Sequence, residues 1–302
     1  MKILITGSNG LLGQKIISAL IGNTHVDLIA TSFGENRMKI KEDYTYESLD
    51  VTDKQAVLYV IGKHNPDVVI NTAAMTNVDA CESEKEKCDK MNVEAVKYLI
   101  SACKKINAHL VHLSTDFVFD GEAGPYTENA KPNPLSYYGK SKYAAEKLIQ
   151  ESGLSWSILR TIIIYGIVDE MSRTNVVLWA KGALEKGQTI NVVDDQFRSP
   201  TLAEDLADAC IAASLKKANG IYHVSGKEIM SILDLVKAIA DYYGLDKSLI
   251  NPIKSGTLNQ AAKRPPHTGF IIAKAIEELG YRPHSLTEGL DVLTVQLKER
   301  GM

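Results

Sequence analysis

The chain has 302 residues, 45% of them hydrophobic and 24% charged, with a formal net charge of -3 at pH 7. These values bound a globular protein that can bury a full core, and they exclude the basic field that nucleic acid or an anionic membrane surface would need. No apolar run is long enough to span a bilayer, and Met1-Lys2-Ile3-Leu4-Ile5-Thr6 meets Gly7 too soon for a signal-peptide core, so a cytoplasmic protein is expected.

In chain order, Lys2 to Thr6 reads as a strand, followed by a helix from about Gly10. Val26 to Thr31, Val68 to Ala74 and Leu110 to Ser114 are further strand-like runs, while Asp53 to Lys63, Ser83 to Asn107 and Tyr138 to Ser152 carry apolar residues at helical spacing. Ser157 to Ile164 returns to strand character. This alternation predicts βαβ units and an α/β fold: a doubly wound parallel sheet of Rossmann type. Beyond Gly166 the rhythm weakens. Val176 to Lys186, Thr201 to Leu215, Ile232 to Tyr243 and Ile272 to Leu279 read as helices, and Thr189 to Val193 and Gly220 to Val224 as strands. Residues 1–165 are expected to form the dinucleotide-binding domain, with a contribution from about 189–225; 166–188 and 226–302 are expected to form a smaller substrate lobe.

Cys81, Cys88, Cys103 and Cys210 lack Cys-x-x-Cys spacing, and the seven histidines form no His-Glu-x-x-His pattern. Reduced thiols and no catalytic metal are therefore expected.

Thr6-Gly7-Ser8-Asn9-Gly10-Leu11-Leu12-Gly13 links the first strand to the first helix. Glycines there permit a tight turn and close approach of backbone to a pyrophosphate, whose charge the free N–H groups of the helix start would hold; an ordinary strand-to-helix turn is the alternative. A carboxylate at the end of the second strand would select NADH through the ribose 2′-hydroxyl. The segment reads Thr31-Ser32-Phe33, with Arg37 shortly after, which favours NADPH over NADH unless Glu35 neutralises the arginine. Asp50 and Val51, after the next short strand, suit the adenine edge.

Tyr138 and Lys142 lie four apart at a helix start and share one face. An ammonium beside a phenol favours phenolate and brings a poor acid–base group toward the working range. The same spacing recurs at Tyr143 and Lys147; Tyr138 is preferred because it follows a loop and adjoins Gly139, whereas Tyr137 and Tyr143 are assigned to packing. Thr115 ends a buried-looking strand, where its hydroxyl would hold a substrate carbonyl, or would simply cap a turn. Arg198 and Arg264 are candidates for a substrate diphosphate, because a planar guanidinium matches phosphate oxygens in a fork; surface ion pairing is the alternative.

Together these residues resemble the extended short-chain dehydrogenase/reductase superfamily over nearly the whole chain. Within it, Asn71-Thr72-Ala73-Ala74 with Val78-Asp79 and Glu82, Ser114 to Gly121, Tyr138 to Lys142, and Asp194-Asp195-Gln196-Phe197 with Ser199-Pro200-Thr201 look like the dTDP-4-dehydrorhamnose reductase family. The resemblance implies a catalytic Thr115, Tyr138 and Lys142. It also implies cofactor contacts at the glycine turn, Asp50, Val51, Ala73, Ala74 and Asn92, and substrate contacts at Thr76, Asp116 and Phe117. Two departures stand out. Arg160-Thr161 is followed by Ile162-Ile163-Ile164 where a tryptophan is common, and Gln14-Lys15 stands where some members carry a magnesium-binding glutamate, so that metal is not expected. Dehydratases of the superfamily follow the catalytic threonine with Asp-Glu; Asp116-Phe117 here argues for reduction, ahead of an epimerase. The chain also resembles the regulatory subunit of methionine adenosyltransferase, a non-catalytic alternative. The expected partner is a nucleotide-sugar substrate, and a homodimer is left open.

Overall fold

The computed structural model describes residues 1–301. Its strands in chain order are β1 (Lys2–Thr6), β2 (Asp27–Ser32), β3 (Thr45–Ser48), β4 (Val68–Asn71), β5 (His109–Thr115), β6 (Trp156–Thr161), β7 (Ile164–Tyr165), β8 (Ile190–Val193), β9 (Phe197–Arg198), β10 (Thr201–Leu202), β11 (Gly220–His223), β12 (Met230–Ser231) and β13 (Ile250–Ile253). The helices are α1 (Leu11–Leu20), α2 (Lys54–His64), α3 (Val78–Ser83), α4 (Lys85–Asp89), α5 (Ala95–Ile106), α6 (Tyr137–Gln150), α7 (Val176–Glu185), α8 (Ala203–Lys216), α9 (Ile232–Tyr243) and α10 (Leu286–Glu299).

Seven strands form one sheet in the order β11-β6-β5-β4-β1-β2-β3, and every pairing in it is parallel. Successive residues of β1 enter opposite cores, as a pleated strand requires. Ile3 and Ile5 pack with Ile16 and Ile17 of α1 and Leu206 and Cys210 of α8. Leu4 packs with Val57 and Ile61 of α2, Leu99 of α5 and Ile149 of α6. Covering both faces with helices is what a fully parallel sheet needs. The chain order reverses between β1 and β4, which opens a crevice at the carboxyl ends of those strands.

The lobe has its own core, in which Tyr165, Leu184 of α7, Leu235 and Ile239 of α9, and Leu290 and Leu293 of α10 meet. The segment 189–225 divides between the two bodies. β8 pairs with β13 and β9 with β12, whereas β11 joins the large sheet beside β6. Three helical stretches differ from the sequence expectation. The helical stretch expected over 83–107 runs continuously from α4 through a π turn at Lys90–Glu94 into α5, with the short α3 ahead of it. The helix expected over 272–279 is largely a π turn at Ala275–Leu279. The terminal helix α10 was not expected, although Ser285 and Glu288 form a reciprocal capping box at its start. All four cysteines are buried and free. No helix among the described residues is long and apolar enough to cross a membrane.

Candidate active site

The glycine turn lies at the crevice. Gly7 has φ +70, and a Cβ there would fall 2.7 Å from the Ala73 nitrogen; one on Gly13 would fall 2.5 Å from the Gly7 oxygen. Neither space admits a side chain. Gly10 precedes α1 as its N-cap, with no side-chain cap and no acidic residue in the first turn, so the N–H groups around Leu11, Leu12 and Gly13 meet no acidic side chain there. The Ser8 hydroxyl beside them is buried without a partner. Asn9 donates to the Glu35 carbonyl (2.8 Å) and accepts from the Arg37 N–H (3.0 Å), which fixes the loop after β2 against the turn. Ser32 ends β2, half-buried, and the half-buried Arg37 makes no ion pair with Glu35 among the described residues. Asp50 accepts from the Thr52 N–H and hydroxyl at 2.8 and 2.7 Å, and Val51 is buried in the core beneath α2. A cradle that a Cβ would fill, an uncapped helix start and a nearby cation fit an adenine dinucleotide.

α6 begins where the Ser136 hydroxyl accepts the Gly139 N–H (3.1 Å). Any Cβ on Gly139 would overlap the Phe117 carbonyl oxygen, so glycine is what lets the helix lie against the strand end that carries Thr115. Tyr138 and Lys142 are both buried on this inner face. The Tyr138 ring stands edge-on to Phe117 with centroids 5.7 Å apart. Burial pushes its phenol above the ordinary range, and contact with the Thr115 hydroxyl pulls the other way. The amine end of Lys142 lies 3.4 Å from His112 Nε2. Burial pushes Lys142 itself down to about 8, with Glu146 opposing. The second pair has another use: Lys147 Nζ lies over the Tyr143 ring, 5.0 Å from its centroid, and Tyr143 packs against the Val118–Phe119 cluster. Tyr137 donates to Asp89 (2.6 Å), as a packing residue would.

Thr115 donates to Asp116 Oδ1 (3.0 Å). Asp116 is buried; desolvation raises its carboxyl while the Arg198 charge and the Thr268 hydroxyl (2.5 Å) work against that rise. Arg198 requires a correction. Its Nε faces Asp116 at 3.5 Å and its other donors meet the carbonyls of Phe197 and Pro265 at 2.7 Å, so the buried guanidinium is consumed within the protein and is not free to grip a diphosphate. Arg264 is likewise engaged, by Asp79 at 2.5 and 3.2 Å and the Ala262 carbonyl at 3.1 Å, where it fastens the lobe to α3. A guanidinium predicted to hold a ligand by its fork holds a carboxylate of its own chain by the same geometry.

Asn92 stands one step behind the cofactor crevice. It accepts from Met75 N–H (2.8 Å) and donates to the Met75 carbonyl (3.1 Å) and Ser141 (3.0 Å), tying the Ala73–Ala74 segment to α6. Thr76 is exposed and accepts from Arg173 at 3.0 Å. Gln14 and Lys15 are structural here: Gln14 bonds the Asp169 backbone at both ends of its amide, and Lys15 Nζ lies 2.7 Å from Glu204 and 2.8 Å from Gln296. Among the described residues no group of acidic, histidine and cysteine side chains could hold a metal ion.

Sequence reasoning missed Glu146, fully buried one turn beyond Lys142. It pairs with Arg160 (Nη2 at 2.6 Å, Nε at 2.9 Å) and accepts from Ser114 at 2.5 Å. The signal was a charged residue four positions beyond Lys142 on the same helical stripe, with an arginine inside an apolar strand.

Residues 1–298 match the RmlD substrate binding domain family. The chain belongs to this family. A dTDP-4-dehydrorhamnose reductase from Clostridium acetobutylicum ATCC 824 is 33% identical, superposes with a TM-score of 0.86, and the match covers 99% of this chain and 100% of that one. A dTDP-4-dehydrorhamnose reductase from Bacillus anthracis str. Ames, solved in complex with NADP, is 27% identical with a TM-score of 0.83 over 98% and 99% of the two chains. The methionine adenosyltransferase 2 subunit beta of Rattus norvegicus is 32% identical over 285 residues, which is 92% of this chain and 82% of the relative. The family resemblance and the extended short-chain dehydrogenase fold read from the sequence are thus borne out, and the chain's relatives include both dTDP-4-dehydrorhamnose reductases and a methionine adenosyltransferase 2 subunit beta.

Proposed function

We propose that the protein is an NADPH-preferring reductase of a nucleotide-linked 4-keto sugar, of the dTDP-4-dehydrorhamnose type. When bound, the reduced nicotinamide supplies hydride. Burial keeps the Tyr138 phenol protonated, which is the form a proton donor to the new alkoxide must have. The Thr115 hydroxyl, at the carboxyl end of β5, turns from Asp116 to donate to the carbonyl oxygen as that oxygen gains charge. Lys142 sits one helical turn from Tyr138, where its amine serves the ribose and the proton balance of the site.

The observation that carries this reading is the state of the acid beside Thr115. Elimination of water needs an additional free acid–base group. Asp116 is occupied by Arg198 and Thr268, and its neighbour Phe117 packs against Tyr138. That leaves Tyr138 as the proton carrier and favours simple reduction. The test is oxidation of NADPH, and separately NADH, in the presence of dTDP-4-dehydro-6-deoxy-L-mannose: turnover is expected, faster with NADPH, and Arg37→Ala is expected to weaken NADPH roughly tenfold while sparing NADH. Equal losses for both cofactors remove Arg37 from the site. The regulatory relatives favour a second reading, a cofactor-binding subunit; tight NADPH binding without turnover of any keto-sugar supports it.

A further inference from the structure

The sheet carries an unusual buried row. Two residues back from the crevice, Leu4, Val69 and Leu110 align in register across β1, β4 and β5 and feed the core under α5 and α6. At the carboxyl end the corresponding row is Thr6, Asn71 and His112, also in register and all buried. Polar groups replace apolar ones on the same face, and each is satisfied by the next. Thr6 Oγ1 donates to Asn71 Oδ1 at 2.6 Å, which turns Asn71 Nδ2 toward His112 Nδ1 at 3.0 Å. His112 Nε2 then faces Lys142 Nζ at 3.4 Å.

The sense of this chain decides the tautomer. An amide nitrogen only donates, so His112 Nδ1 must accept, and a neutral imidazole then carries its proton on Nε2. We propose that Thr6 and Asn71 lock His112 in the Nε2–H tautomer, and that His112 acts as a positioning residue that offers this N–H to the Lys142 amine.

A donor aimed at Nζ is satisfied only by a lone pair, so the row favours the neutral amine over the ammonium and places Lys142 where it can both give and take a proton. The other titratable groups near Nζ do not do this. Glu146, from α6, favours the ammonium but is shared with Arg160 and Ser114; Cys88, from α4, also favours the ammonium. Burial holds His112 neutral, as the tautomer argument requires.

The purpose of this device rests on the reductase reading, but its test does not. In the full chain carrying 15N-labelled histidine, the NMR signal of His112 is expected to show a neutral ring protonated at Nε2 at pH 9, where the Lys142 amine is mostly neutral; an Nδ1–H tautomer or a charged ring overturns the proposal. Lys142 is followed by its 13Cε signal, assigned by its loss in Lys142→Met. In His112→Phe, which removes the donor without adding charge, the Lys142 pKa is expected to rise by roughly one unit; an unchanged or lower value overturns the link. Where that variant does not fold, the tautomer measured in the unaltered chain still decides. Tyr138→Phe leaves both signals in place, so failure of the reductase reading is distinguishable from failure of this one.

Discussion

Helix α6 carries the same four-residue spacing on two faces, with opposite outcomes. The inner stripe of Tyr138, Lys142 and Glu146 is buried against β5 and β6, where each polar atom is answered by a strand residue: Thr115, His112, Ser114 or Arg160. The outer pair, Tyr143 and Lys147, closes on itself as a cation–π contact with the lysine exposed. The difference is one of surroundings. An ionisable group among packed strands has its protonation set by its neighbours.

The largest effect that would sharpen this contrast is on turnover. Tyr138→Phe is expected to lower kcat roughly 10²–10⁴-fold with NADPH affinity retained, whereas Tyr143→Phe changes neither; the reverse result transfers the chemistry to the outer face. Next comes stability. Glu146→Ala strands the buried Arg160 guanidinium and is expected to cost about 3–5 kcal/mol in urea unfolding. A loss below 1 kcal/mol would show that water reaches this face.

Lys142→Met acts in the other direction. The folded state holds this lysine near 8 against an ordinary 10.5, so the unfolded chain binds its proton more tightly. The unaltered protein therefore gains stability as pH rises from about 8 to 10.5. Lys142→Met should abolish turnover, raise stability by about 1–3 kcal/mol at pH 7, and flatten that pH dependence. The smallest effect belongs to Lys147→Ala, expected to cost about 0.5–1 kcal/mol at an exposed cation–π contact, with activity unchanged. A larger loss would mean that the outer pair supports the site.

How much of this was legible in the sequence varied with the range of the interaction. The strand-to-helix rhythm of the first half, the glycine turn, and the places of Thr115 at a strand end and of Tyr138 at a helix start are local signals, because period, turn chemistry and helical spacing are properties of neighbouring residues. α10 had its capping box in plain view at Ser285 and Glu288. What the sequence by itself determined was the succession of elements, the glycine cradle and which side chains share a helical stripe. Only the tertiary structure decided what those side chains meet: that Arg198 and Arg264 are spent on Asp116 and Asp79, that Lys142 faces His112, and that Glu146 pairs with Arg160. Each of those partners lies far along the chain or across the sheet, and burial, which sets the charge state of all of them, is a property of the packed whole.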